Sequence, residues 1–249
     1  SATRPGSFHI VPPMVQETGY TAPLGRAVKE RVDCPVIVTG RINQPQIAEE
    51  IIERGDADAC GMTRALIADP KMPNKTSQGQ HDDIRACIAC NQACAGHFFM
   101  GAAISCIQHP ETGREREFGA PAPAAPRRKV LVAGGGPGGM KAAAVAASRG
   151  HEVILCEAGP QLGGQALLAQ LLPSRAEFGG IVTNLVREIE LAGVEVRLNT
   201  RVDRALVENE GPDAVVIATG AEPSEPEIEG ADEGHVVNAW QVLRGEINV

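Results

Sequence analysis

Four cysteines, Cys87, Cys90, Cys94 and Cys106, fall in the run CIACNQACAGHFFMGAAISC with the spacing C-x2-C-x3-C-x11-C. Three of them crowd one turn, so a single loop can wrap a metal centre while the distant fourth closes the cage, which is how thiolates hold an iron-sulfur cluster. A zinc site also accepts four cysteines, but its usual form is two well-separated C-x2-C knuckles. Disulfides fit less well. No signal-peptide pattern opens the chain, and Cys34, Cys60 and Cys156 lie in apolar, strand-like contexts where buried free thiols are expected. The spacing therefore predicts an iron-sulfur cluster and electron transfer. His97 and His109 lie close to these cysteines and could tune a cluster by hydrogen bonding, although a polar loop histidine is more often simply solvated.

A second set of residues suits a dinucleotide. The stretch KVLVAGGGPGGMKAAAVAASRGHEVILCEA reads as a buried strand from Lys129 to Ala133, a glycine turn, an alanine-rich helix and a strand from Glu152 to Cys156. Gly134, Gly136 and Gly139 form G-x-G-x-x-G, with Pro137 and Gly138 inside it, directly after a strand and opening a helix. Gly134 permits the tight turn, Gly136 lets the backbone approach a pyrophosphate, Gly139 lets the helix pack closely, and the helix N-terminus faces the phosphates. Glu157 ends the second strand at the distance expected of a carboxylate that accepts hydrogen bonds from a ribose diol.

The elements around these motifs give the chain its organisation. Residues 118 to 129, FGAPAPAAPRRK, alternate Ala and Pro without apolar periodicity and predict an extended, semi-rigid linker. Upstream, CPVIVTG precedes QPQIAEEIIERG and DACGMTR precedes ALIADP, short apolar strands alternating with helices as in parallel β/α structure. Ile47, Ile51 and Ile52 are expected on the helix face toward the sheet, with Glu49, Glu50, Glu53 and Arg54 on the solvated side. Gly40-Arg41 and Thr63-Arg64 then fall at the C-terminal ends of successive strands, where a β/α barrel builds a phosphate site from backbone N–H groups and a cation. The start SATRPGSF reads either as including residues foreign to the protein or as the sixth strand of a barrel, with FHIVP its strand-like part.

Composition narrows the classes. With 249 residues, 43% of them hydrophobic, and a net charge of −8, the chain can bury a sizeable core in two structural units. No apolar run approaches the roughly 18 residues of a membrane span. The acidic balance, with one Trp and one Tyr, argues against a nucleic-acid surface. Thiolate ligands favour the cytoplasm, where thiols stay reduced.

Several of these segments carry a family resemblance. GPQLGGQ, GVEVRLNTRV and DAVVIATGA resemble the flavoproteins with two dinucleotide-binding domains, which implies FAD, with Gln165 along the flavin, the backbone of Val202 at the adenine, and Ala218, Thr219 and Gly220 against the pyrophosphate. PVIVTGRI, GMTRALIADPKMPNK, DIRACIACNQAC and the glycine fingerprint, in that order, resemble the multidomain NADH:flavin oxidoreductases related to old yellow enzyme, the group of 2,4-dienoyl-CoA reductase and trimethylamine dehydrogenase. The fold class expected is α/β: the C-terminal part of a TIM barrel over residues 1–84, an iron-sulfur loop segment over 85–117, an Ala/Pro linker over 118–127, and part of a Rossmann-like FAD-binding domain over 128–249. By that resemblance Gly40, Arg41, Thr63 and Arg64 would hold the phosphate of FMN, Cys87, Cys90, Cys94 and Cys106 the cluster, and Gly134 to Gly139 with Glu157 FAD or a bare ADP.

A complete β/α barrel needs about 250 residues, whereas 86 precede Cys87 here. The expectation is therefore a fragment, inactive alone, with no match to the family's catalytic residues and no second glycine fingerprint for a nicotinamide after Gly220. For the intact parent, the resemblance implies that NAD(P)H reduces FAD and that electrons pass through the cluster to FMN and on to a small unsaturated substrate. An amine dehydrogenase running the opposite way is the alternative, and a nucleotide-binding electron-transfer module without substrate chemistry a third. The sequence leaves the oligomeric state open.

Overall fold

The computed structural model describes residues 8–119, 122–224, 227–231 and 233–247. The chain divides into two compact units, Ser1–Ala120 and Pro121–Val249. Among the described residues no helix is long and apolar enough to cross a membrane.

The first unit is built on two short parallel strands, β1 (Ile37–Thr39) and β2 (Ala59–Gly61), paired Ile37 with Ala59, Val38 with Cys60 and Thr39 with Gly61. Parallel neighbours need a crossover, and it is supplied by α2 (Pro45–Glu53), which Pro45 opens at a position where its missing N–H costs nothing. α1 (Ala22–Lys29) precedes β1, while α3 (Thr63–Ala68) and α4 (Met72–Ser77) follow β2. Strand side chains alternate between faces, so Val38 turns inward against Ala22, Ile42, Ile51 and Ala57 while Ile37 is exposed. On α2, Ile51 is buried and Ile47 packs against it, but Ile52 is exposed, contrary to the periodicity reading. A helix advances about 100° per residue, so adjacent isoleucines cannot both face a sheet only two strands wide. Cys34 is likewise exposed where a buried thiol was expected, because it precedes β1 rather than lying in it. Phe8, His9 and Ile10 form helical turn, not strand, and residues 1–7 lie outside the described part of the chain.

One buried carboxylate ties the end of this unit together. Asp69, 2% exposed, accepts hydrogen bonds from Lys75 Nζ at 2.6 Å, the Lys71 N–H at 3.0 Å and the Arg85 N–H at 3.0 Å. It thereby joins α3, α4 and the segment leading into the cysteines. Burial opposes its ionisation, but the Lys75 ammonium and the Arg85 and Lys71 N–H groups outweigh burial and hold its pKa below the ordinary 3.8.

The second unit is a parallel sheet in the order β5-β4-β3-β6, comprising β3 (Lys129–Ala133), β4 (Glu152–Cys156), β5 (Glu195–Arg197) and β6 (Ala214–Ile217). Both faces of its centre are covered, which is why β3 and β4 read as continuous apolar runs. On one face α5 (Pro137–Ser148) and α6 (Gly179–Leu191) bring Met140, Ala143, Ala144, Leu185 and Ile189 onto Val130, Val132, Val153 and Leu155. On the other, α7 (Arg204–Glu210) contributes Leu206 and Val207, which pack with Val202 on Leu131, Ile154 and Cys156. Glu210 takes Arg197 at 2.5 Å and Lys129 at 2.8 Å, linking α7 to β5 and β3, and these cations lower its pKa to about 2. Between Phe118, the last residue of a helical turn, and Lys129, the first of β3, the Ala/Pro run carries no helix or strand among its described residues. It is anchored to this unit, since Ala124 N–H donates to the Arg149 carbonyl at 2.8 Å.

Asp69→Asn leaves Lys75 without a counter-ion and is expected to lower the unfolding free energy by about 2 kcal/mol, the scale of a hydrogen bond to a charged group, as read by urea denaturation. Because the folded pKa of Asp69 is depressed, its contribution is complete above pH 3.8 and is lost as pH falls through the folded value. The gap between wild type and variant therefore closes on acidification below that point, and a gap unchanged between pH 7 and the acid limit would show that the ion pair is not its cause.

Candidate functional site

Two neighbouring cavities of the first unit collect its chemistry-bearing residues. Parallel strands present their C-terminal ends to one edge, so the turn after β1 lies beside the turn after β2. Gly40, Arg41, Thr63 and Arg64 thus line a common cavity of about 480 Å³, with Pro12 and Cys87 also in its wall. Gly40 cannot be replaced there without movement, because a Cβ would meet Thr21 Oγ1 at 2.5 Å. Arg41 follows in the left-handed region, at φ 50°, and is 8% exposed. Its guanidinium donates to the Gln16 carbonyl. Burial, and then the neighbouring Arg64 cation, press its pKa below the ordinary value, while Cys87 acts in the opposite sense. Two guanidiniums held within electrostatic reach in a partly dry cavity make a receptor for an anion. Arg64 Nη1 donates to the Pro12 carbonyl at 2.8 Å and to Asn91 Oδ1 at 2.7 Å.

All four cysteines of the spaced run line a single smaller cavity together with Arg64 and the apolar side chains Ile67, Ile88 and Ile107. The loop is shaped by Ala89 and Asn91 in the left-handed region and by one π-helical turn, Gln92–Gly96, that carries Cys94. Ser105 N–H donates to the Ala93 carbonyl at 2.8 Å and so brings Cys106 back beside Cys94. Burial raises the pKa of Cys87; the Ala89 N–H, 3.4 Å from its sulfur, and Arg64 oppose this, and Cys106 and Cys94 add to it. Burial also raises Cys90, opposed by the Gln92 N–H and reinforced by the other three cysteines. Thiols held protonated by burial and by neighbouring cysteines, as Cys87 and Cys90 are, are what a metal centre would relieve, since a bound cation inverts that local preference. The donor set and the enclosed, mostly apolar walls fit an iron-sulfur cluster. Among the described residues no group of three or more His, Cys, Asp or Glu is arranged to hold one metal ion. His97 Nδ1 lies 3.0 Å from the Ala103 carbonyl, and His109 Nδ1 2.9 Å from Thr112 Oγ1.

The second unit has its own cavity, of about 510 Å³, at the C-terminal ends of β3, β4 and β6. It lies where the chain leaves β3 toward β4 on one side and returns as β6 on the other, the switch point at which open α/β sheets bind ligands. Gly134, Glu157, Val202, Thr219 and Gly220 line it, as do Thr200 and Arg201 of the GVEVRLNTRV segment and Glu222, none of which the sequence reading assigned a role. The fingerprint glycines behave differently from one another. Gly134 has φ 109°, and a Cβ there would lie 2.3 Å from the Ala218 carbonyl oxygen; a Cβ on Gly139 would lie 1.9 Å from the Gly134 carbonyl oxygen. At Gly136 and Gly138 a Cβ meets nothing within 4 Å. Gly134 and Gly139 thus serve backbone packing, with Ala218 as the contact, whereas Gly136 and Gly138 border open space beside Pro137 at the start of α5. The Glu157 carboxylate accepts the N–H groups of Gly135 and Gly159, each at 2.7 Å, which orients it at the cavity. Gln165 Nε2 reaches across to the Ala221 carbonyl at 2.8 Å.

The sequence reading missed Asn43 and Asn91. Asn43 Nδ2 donates to the Cys87 carbonyl at 2.8 Å, and Asn91 Nδ2 donates to the Val11 carbonyl at 2.9 Å. Their partners lie 44 and 80 residues away, so no local pattern could have marked them. The fingerprint geometry sets an expectation for stability. Gly139→Ala drives a methyl group into backbone and should cost about 3 kcal/mol or more, whereas Gly136→Ala should cost under about 1 kcal/mol. Thermal unfolding of both variants checks this, and equal costs would contradict the geometry.

Residues 6–83 match the NADH:flavin oxidoreductase / NADH oxidase family, and residues 128–244 match the pyridine nucleotide-disulphide oxidoreductases. An NADH oxidase of Thermoanaerobacter brockii is 39% identical over 98% of this chain and 38% of its own length. An N,N-dimethylglycine/sarcosine dehydrogenase of Chromohalobacter salexigens is 41% identical over 96% of this chain and 36% of its own. The solved structure of a 2-naphthoyl-CoA reductase in complex with 2-naphthoyl-CoA superposes with a TM-score of 0.90 at 35% identity, over 95% of this chain and 36% of that one. The chain therefore spans less than two fifths of the length of these relatives. The two family matches follow one another in a single chain, and the chain belongs to the NADH:flavin oxidoreductases related to old yellow enzyme.

Proposed function

We propose that this chain carries the electron-relay portion of an iron-sulfur flavoprotein oxidoreductase that moves reducing equivalents between NAD(P)H and a small unsaturated substrate, in the manner of 2,4-dienoyl-CoA reductase. The observation that carries the reading is a shared wall: Cys87 and Arg64 line both the anion-type cavity at the strand ends and the cavity of the four cysteines. A relay needs its two redox sites adjacent, and the two cavities share side chains. Gly40, Arg41, Thr63 and Arg64 would hold the phosphate of FMN. Cys87, Cys90, Cys94 and Cys106 would hold a 4Fe-4S cluster, which when bound passes electrons singly. In the second unit Gly134, Gly136, Pro137, Gly138 and Gly139 would accept the pyrophosphate of FAD or the diphosphate of ADP, with Glu157 on the ribose diol, Val202 at the adenine, and Gln165 and Ala218 completing the cradle. In this reading residues 1–84, 85–117, 118–127 and 128–249 are barrel end, cluster segment, linker and nucleotide domain.

The likeness to a reductase of an aryl-CoA thioester supports the reductase direction. A dehydrogenase of N-methylated amino acids, similar over nearly the whole chain, supports a second reading in which electrons enter from a methylated amine and leave through the nucleotide unit.

Anaerobic reconstitution should give about four iron and four labile sulfide per chain, with the broad visible absorption of a cluster, and Cys94→Ser should lower the iron bound. Zinc or no metal in the wild type sinks the cluster. NADH added anaerobically to the protein that carries this chain should bleach its flavin. Bleaching by a methylated amine and not by NADH would replace the reductase with the dehydrogenase. Gly136→Ala, which leaves the fold intact, should weaken ADP binding about tenfold, the equivalent of 1.4 kcal/mol, in a calorimetric titration.

A further inference from the structure

Asn91 has no part in the relay so far, yet it occupies its central joint. It follows Cys90 directly and sits in the left-handed region, φ 58° and ψ 15°, a conformation that asparagine tolerates better than most side chains. From there its Oδ1 accepts Arg64 Nη1 at 2.7 Å while its Nδ2 donates to the Val11 carbonyl at 2.9 Å. Arg64 Nη1 makes a further bond to the Pro12 carbonyl at 2.8 Å. The guanidinium is thus pinned between a residue of the cysteine loop and the segment that walls the strand-end cavity. Asn43, 8% exposed and two residues beyond Arg41, makes the matching tie in the other direction by donating to the Cys87 carbonyl at 2.8 Å.

Resting on the reading that the strand-end cavity takes a phosphate and the cysteines a four-iron cluster, we propose that Asn91 is a positioning residue that makes the two sites one thermodynamic unit. By fixing the Arg64 guanidinium in the wall they share, it makes anion binding in the cavity and the redox state of the metal centre depend on each other. The physics is charge sharing. Arg64 stabilises negative charge on either side; an anion in the cavity neutralises part of its field, so an electron added to the centre is less well compensated. Linkage makes the effect reciprocal, and reduction of the centre loosens the anion. Freed from Asn91, the side chain follows the anion away from the thiolates, and the centre loses its view of the cavity. The coupling suits a relay, because it lets the occupied flavin site set the potential of the group that feeds it.

Anaerobic redox titration of the reconstituted 249-residue chain, poised with dithionite, with and without saturating inorganic phosphate, tests this. Phosphate should bind the oxidised form about fivefold more tightly than the reduced, the lower end of ordinary coupling. That corresponds to a fall in midpoint potential of about 40 mV at 59 mV per tenfold for one electron. Asn91→Ala should lose at least half of the fall with its iron content unchanged, and Asn91→Asp, which keeps an oxygen for Arg64, should restore it. An undiminished fall in Asn91→Ala overturns the proposal, as does a loaded wild type whose potential ignores bound phosphate. Should Asn91→Ala take up no iron, Arg64→Gln carries the test: a lost fall supports the proposal and a retained one overturns it. Iron content and calorimetric phosphate binding are measured separately. A wild type that binds no iron or no phosphate overturns the functional reading itself, and the proposal with it.

Discussion

Parallel pairing is the constraint on which the rest of this chain depends. Strands that run the same way need a crossover between them, and each crossover returns the chain to the same end of the sheet. In the first unit that rule sets the turn after β1 next to the turn after β2, so that Gly40-Arg41 meets Thr63-Arg64 across the width of two strands. In the second it sets the glycine turn after β3 beside Glu157 after β4 and Thr219 after β6. Residues as far apart as Gly134 and Thr219 are gathered at one edge because the backbone leaves them no other place to end.

Gathering alone does not hold a site open. Carbonyls and cations that converge must be satisfied, and unpaired polar groups in a partly dry wall are costly. The chain meets this with a few side chains that reach far in sequence: Asp69 to Lys75 and the Arg85 N–H, Asn43 to the Cys87 carbonyl, Asn91 to Arg64 and the Val11 carbonyl. They replace, for the cysteine loop, the ladder of hydrogen bonds that a strand or helix would provide. Between Cys87 and Cys106 the loop has one π-helical turn, Gln92–Gly96, and one three-residue helical turn, His97–Phe99, so these ties carry much of its definition.

Some of this was legible in the residues. The bounds of β3 and β4 agree with the apolar runs Lys129–Ala133 and Glu152–Cys156, because strands covered on both faces tolerate no polar interruption. The glycine spacing implied a close approach, and the contacts of Gly134 and Gly139 show two of them. Where burial depends on the exact position in or beside an element, the residues misled. Ile52 and Cys34 are exposed although both are apolar and sit beside apolar runs: Ile51 takes the sheet-facing position of its helix, and Cys34 precedes β1 rather than lying in it. FHIVP has the composition of a strand, but Phe8 to Ile10 take a helical turn.

The sequence by itself determined the chemical inventory: four thiols at a spacing that one loop can close, two strand-end arginines, a glycine turn and a carboxylate one strand later. Those follow from local geometry, in which residue type and short spacing suffice. Only the tertiary structure decided that Arg64 and Cys87 belong to two cavities at once and that an asparagine beside Cys90 holds the arginine in place. Such contacts span tens of residues, and a hydrogen bond between distant side chains leaves no period, propensity or spacing in the chain that makes it.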